Sequence, residues 1–114
     1  SVTGAVHGAA WCDADGTIMQ LCEDVGRHNA LDKLVGRICQ EGVSTTAGFL
    51  LISSRASYEI VQKAAMAGMS VVVAVSAPTT MALEVAQQAN ICLVGFSRAG
   101  RHVVYTNSQR LTQV

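Results

Sequence analysis

Charge is what this chain has least of. Its 114 residues carry 8 Lys or Arg against 8 Asp or Glu, 14% of the total, and the formal net charge is zero. Acids and bases are interspersed, so no extended basic patch follows a duplex, and nucleic acid is not expected as a partner. Apolar runs are frequent but short. None approaches the roughly 20 residues that a bilayer demands, so no membrane association is expected. The chain also lacks a C-x-x-C pair: Cys12, Cys22, Cys39 and Cys92 are widely spaced, each within an apolar strand or helix pattern. They read as small buried hydrophobes in a reducing compartment, which implies a cytoplasmic protein. No secretory leader or lipidation motif is visible. The sequence opens on Ser1 without Met, and the expectation is a single domain, residues 1–114, taken from a longer protein. Internal repeats, low-complexity stretches and linkers are absent.

Apolar content is plentiful. Half of the residues are hydrophobic and the mean hydropathy is +0.34. A domain of this length buries roughly two thirds of its unfolded surface. The surplus predicts a well-buried sheet together with an oligomer or partner surface.

The scarce charge is concentrated. Glu23-Asp24-Val25-Gly26-Arg27-His28-Asn29-Ala30-Leu31-Asp32-Lys33 gathers acids and bases at the start of a helix. Ionisable groups beside a glycine at the edge of an apolar core mark a site more often than a scaffold. The plain alternative is a polar turn that caps the helix.

In chain order, Ala5 to Cys12 reads as a strand, Asp13-Ala14-Asp15-Gly16 as a hairpin turn, and Thr17 to Cys22 as the return strand. A helix from about Asn29 to Glu41 follows, with Ala30, Leu31, Leu34, Val35, Ile38 and Cys39 at helical spacing. Asn29 is its expected N-cap and Gly42 its stop. Continuous apolar strands are expected at Ala47–Ser53, Met69–Val75 and Ile91–Phe96, with helices reaching about Ala67 and Ala89 between them. His102 to Thr106 reads as a last edge strand or an extended tail. The pattern predicts an α/β fold: a three-layer α/β/α sandwich around a mixed sheet of about five strands with an N-terminal β-hairpin.

In such sheets, ligands bind beyond the carboxyl ends of the strands. Two loops of similar chemistry lie there, Ser53-Ser54-Arg55-Ala56-Ser57 and Ser76-Ala77-Pro78-Thr79-Thr80. Both offer hydroxyls and free helix N-terminal amides, and one adds a guanidinium, so a phosphate-bearing ligand is favoured over ordinary capping. A carboxylate accepts both N1–H and N2–H of guanine, so Glu23 and Asp24 suit a guanine nucleotide, with Arg27 and His28 as further contacts. His7 sits in a strand flanked by small residues that allow close approach. The order of elements is that of zinc-dependent cytidine deaminases, but the second helix start, Ser54-Arg55-Ala56-Ser57-Tyr58, has no cysteine. Zinc is therefore not expected. No Ser/His/Asp triad, G-x-S-x-G elbow or Walker loop can be read.

Thr3-Gly4…His7-Gly8-Ala9-Ala10, Glu23-Asp24-Val25-Gly26-Arg27-His28-Asn29-Ala30, Ser53-Ser54-Arg55-Ala56-Ser57-Tyr58-Glu59, Ser76-Ala77-Pro78-Thr79 and Gly95-Phe96…Arg98 resemble, in collinear order, the C-terminal domain of the formate dehydrogenase accessory sulfurtransferase (sulfur carrier) family. The resemblance implies a cytidine-deaminase-like fold and a homodimer. It implies binding of the bis-molybdopterin guanine dinucleotide cofactor, with GDP or GTP as mimics. In the full protein it implies transfer of sulfur from a cysteine desulfurase to that cofactor before delivery to formate dehydrogenase. The family's sulfur-carrying cysteines lie in a C-x-x-C loop that precedes this domain, and none of the four cysteines here matches it. The present chain is thus expected to bind rather than catalyse. By motif and position, His7, Glu23, Asp24, Arg27, His28, Ser54, Arg55, Ser57, Ser76 and Thr79 are expected to line the pocket, with Lys33 a helix-surface charge. The remaining alternatives are a nucleotide-acting enzyme (metal-free hydrolase or transferase) on a deaminase-like fold and a structural dimerisation domain.

Overall fold

The computed structural model describes residues 7–75, 77–96 and 101–113. Strand β1 (His7–Cys12) turns back into β2 (Ile18–Asp24) through a loop closed by Asp13, whose carboxylate accepts the N–H groups of Asp15 and Thr17 at 3.0 and 2.9 Å. Gly16, at φ 87°, supplies the left-handed residue that the turn requires. Helix α1 (Arg27–Glu41) buries Ala30, Leu31, Leu34 and Ile38 and ends at Gly42, whose N–H bonds the Ile38 carbonyl and whose φ of 66° turns the Val43 N–H back to the same carbonyl at 3.1 Å. The rest alternates: β3 (Phe49–Ile52), α2 (Tyr58–Met66), β4 (Val71–Val75), α3 (Thr80–Ala89), β5 (Cys92–Phe96) and β6 (His102–Thr106).

These strands form one mixed sheet in the order β2-β1-β3-β4-β5-β6. β3, β4 and β5 are parallel, as single-helix crossovers between them require. β1 is antiparallel to both β2 and β3. The sheet has six strands rather than about five because β6 pairs with β5 instead of trailing away. Thr106 fixes it: its buried hydroxyl donates to the Ile91 carbonyl at 2.7 Å and accepts the Leu93 N–H at 3.0 Å. The Asn107 amide then donates to the carbonyls of Ala86 and Ile91.

The expected hairpin followed by βα crossovers is present, and the layering refines the expected sandwich. Alternate strand residues Ala9, Trp11, Cys22, Leu50, Ile52, Val72, Ala74 and Leu93 form one core with the apolar faces of α1, α2 and α3. The intervening Val71, Val73, Cys92 and Val94 form a separate cluster with Phe49, Leu51 and Val104, which none of α1, α2 and α3 joins. The described helices thus supply one of the sandwich's two outer layers. Cys12, Cys22 and Cys92 are buried as expected, whereas Cys39 is exposed. It follows Ile38 around α1, beyond the stripe that faces the sheet, and lies in a shallow groove with Val35 and Met66. No described helix is long and apolar enough to cross a membrane.

Candidate anion-binding site

The crossover topology brings the carboxyl ends of β2, β3 and β4 to one edge of the sheet, and antiparallel β1 places its first residue, His7, beside them. Between β3 and α2, Ser53 ties the loop to β1: its hydroxyl accepts the Gly8 N–H at 2.8 Å and its own N–H reaches the Gly8 carbonyl at 3.0 Å. Ser57 caps α2 by accepting the Ile60 N–H at 3.4 Å, and Thr79 caps α3 by accepting the Ala82 N–H at 3.1 Å. The two loops are joined. The Arg55 Nε donates to the Ala77 carbonyl at 2.8 Å, and the Thr79 N–H bonds the Ala56 carbonyl at 3.2 Å. Ser/Thr capping and site formation, read from sequence as alternatives, therefore coexist in the same residues.

These elements enclose a cavity of about 260 Å³ lined by His7, Arg27, Ser54, Arg55, Ser57 and Thr79. Six of the ten residues expected to form a pocket are thus brought together. Among the described residues the lining includes two guanidinium groups and no carboxylate, and the capped starts of α2 and α3 contribute Ser57 and Thr79 to it. Fixed N–H donors, helix dipoles and planar guanidiniums all favour a doubly charged oxyanion such as a phosphate.

Glu23, Asp24 and His28 are not among the lining residues. Glu23 is exposed and pairs across the hairpin with Gly8, so its side chain leaves the sheet on the face away from the helices. Asp24 points to the helix face and is already engaged. One carboxylate oxygen lies 2.7 Å from the Lys33 ammonium, and the other accepts the Gly26 N–H at 3.0 Å. Lys33, then the Gly26 N–H, with a smaller contribution from the Asn29 amide, hold the Asp24 carboxyl at about 2, below its ordinary 3.8. His28 Nε2 lies 3.6 Å from Glu59 on α2. Ser76 lies outside the described residues.

Two local expectations are corrected by this arrangement. Asn29 does not cap α1; the helix begins at Arg27 with Gly26 in the N-cap position and no side-chain cap. Asp24 reaches in from the end of β2 and takes the Gly26 amide instead. Lys33 is more than a surface charge, because its ammonium joins Asp24 and the Glu23 carbonyl, the latter at 3.3 Å. The sequence signal was available: Lys33 is two helical turns after Gly26 and so returns to the face of the helix start. Among the described residues, no group of three or more His, Cys, Asp or Glu side chains is arranged to hold a metal ion.

The FdhD/NarQ family profile matches residues 1–112. The chain belongs to the FdhD/NarQ family. Among relatives, the sulfur carrier protein FdhD of Bordetella petrii is 51% identical over 96% of this chain, and that of Cupriavidus necator is 56% identical over 96%. The alignments cover 40% and 38% of those two proteins, so the chain spans about two fifths of their length. A crystal structure described as a formate dehydrogenase accessory protein from Desulfotalea psychrophila superposes with a TM-score of 0.85 at 30% identity, covering 96% of this chain and 48% of that one. The family resemblance and the α/β fold read from the sequence are both borne out. The polar cavity of this FdhD/NarQ chain lies at the strand ends.

Proposed function

We propose that this chain binds the bis-molybdopterin guanine dinucleotide cofactor as cargo, holding a pyrophosphate of that cofactor in the cavity between α1, α2 and α3. The observation that carries the reading is the convergence of Arg27 and Arg55 with two helix N-termini on one cavity that no described carboxylate lines. At about 260 Å³ the space suits a pyrophosphate with part of a ribose. A complete nucleotide site occupies several hundred Å³, so the guanine would extend past the rim. Arg55 and Arg27 would neutralise phosphate oxygens, Ser54 would donate a hydroxyl, and His7 would contact the ligand from the β1 side. Asp24, occupied by Lys33, and Glu23, directed away from the helix face, are not placed to hold the base. GDP or GTP would serve as a partial mimic.

In the whole protein this binding would accompany sulfur transfer from a cysteine desulfurase to the cofactor before its delivery to formate dehydrogenase. That transfer would take place in the cytoplasm, with a homodimer presenting the cofactor. The names of the relatives support a role in sulfur carriage and formate dehydrogenase maturation. Calorimetric titration with GDP and ADP at matched ionic strength tests the reading. Preferential GDP binding that weakens in Arg55→Ala is expected. Equal binding of both would reduce the site to a generic phosphate site, and binding of neither would overturn the proposal.

A further inference from the structure

The anion cavity draws its charge from two arginines held in different ways. Arg55 is fixed by a direct bond from its Nε to the Ala77 carbonyl. Arg27 is the first residue of α1, and its place depends on where that helix starts. The start has no side-chain cap of its own. What secures it is the bracket described above: the Asp24 carboxylate takes the Gly26 N–H on one oxygen and the Lys33 ammonium on the other, and Lys33 also reaches the Glu23 carbonyl. The last residues of β2 are thereby fastened to both the first and the second turn of α1. Neither Asp24 nor Lys33 lines the cavity.

We infer that Asp24 and Lys33 are positioning residues for the anion site, acting through the start of α1 to hold Arg27 at the cavity wall. The inference rests on the phosphate-binding reading given above and adds to it two residues that do not touch the ligand. It also reverses the role first expected for Asp24, from ligand acceptor to organiser of a cation.

Simple electrostatics and positioning predict opposite signs for one substitution. Asp24→Asn removes a negative charge close to an anion site, so charge alone would tighten anion binding. Loss of positioning would weaken it, because a neutral amide cannot hold the Lys33 ammonium as strongly. The probe is inorganic pyrophosphate, titrated calorimetrically into the full-length protein and its variants at fixed salt. Asp24→Asn and Lys33→Met are each expected to weaken binding by about 5–20-fold, and Lys33→Arg to stay within about 3-fold of the parent, as coupled neighbours of a binding group do. In an Arg27→Ala background, Asp24→Asn should cause no further loss, whereas with Arg55→Ala its effect should add. A purely structural role would lower thermal stability without this selective coupling to Arg27. Should Asp24→Asn fail to fold, Lys33→Met, at a more exposed position, carries the same cycle.

Unchanged or tighter pyrophosphate binding in Asp24→Asn, with binding lost in Arg55→Ala, would overturn the positioning inference and leave the anion site standing. Equal effects of Asp24→Asn with and without Arg27 would also overturn it. No pyrophosphate binding by the parent protein would overturn the anion site and the inference together.

Discussion

The two faces of the sheet are built from the same kind of strand and end in different surroundings. On one face, Leu50, Ile52, Val72 and Leu93 lie under three helices with relative exposures of 0–2%. On the other, Val71, Val73, Cys92 and Val94 make a small patch whose neighbours Leu21, Val75 and Phe96 remain 39–50% exposed. A shallow apolar hollow of about 390 Å³, lined in part by Phe49, Leu51, Val73 and Phe96, runs across it. Covering the first face yields both the stability of the domain and the convergence of helix starts that makes the cavity. The second face draws such stabilisation at its centre, where Val71, Val73, Cys92 and Val94 are 0–8% exposed, and leaves its margin in water, since hydrophobic free energy scales with the area actually removed from water.

That contrast is open to measurement. The largest effect is expected from Leu34→Ala in α1, fully buried on the covered face. It should destabilise the fold by about 2–5 kcal/mol in denaturant unfolding, through lost transfer energy and the cavity left behind. Next comes Arg55→Ala, which should weaken GDP binding by about 1.5–3 kcal/mol while barely moving the unfolding midpoint. Leu21→Ser on the open face should change the unfolding free energy by about 0.5 kcal/mol or less, as surface substitutions do. A cost like that of Leu34→Ala would show that the open face is covered in solution.

Two further measurements probe smaller effects. Asp24 has its folded value lowered to about 2 from 3.8. A carboxyl so depressed contributes stability that is complete above its unfolded value and is lost as pH falls through the folded one. Melting temperature should therefore decline between roughly pH 4 and 2, less steeply in Lys33→Met than in the parent. Finally, burial pushes the Cys12 and Cys92 thiols up, with Asp13 adding to the effect at Cys12, while Cys39 is exposed. A thiol reagent at neutral pH should modify Cys39 first, detected by mass spectrometry of the labelled peptides. Early labelling of Cys92, on the less protected face, would break the comparison by showing that this face opens.

What was readable from sequence divides along physical lines. The Asp13–Gly16 turn and the Gly42 stop depend on residues within about four positions of one another, and short-range chemistry dictated them. The joint appearance of His7, Arg27 and Arg55 at one cavity followed from the crossover rule, which converts strand order into spatial order. The start of α1 was misplaced because its amide is satisfied from β2, a contact that exists only once helix and hairpin have docked. Lys33 was undervalued for the same reason. That α1, α2 and α3 share one face was hidden by the strands themselves: Phe49–Ile52, Val71–Val75 and Cys92–Phe96 are apolar on both faces, and such a run states a need for cover without naming what provides it.

The position of β1 carries a consequence for how the chain reaches this state. Its one edge meets β2 across a local turn, but its other edge must wait for β3, whose partner residues Ala9 and Ile52 lie about 40 residues apart. Until α1 has formed and β3 has arrived, the hairpin offers an apolar strand with unpaired amides and carbonyls, the kind of edge that recruits other chains. Non-local pairing of this kind slows folding relative to the hairpin itself. During synthesis the hairpin edge thus stays unpaired from the emergence of residue 24 until residue 52 has followed.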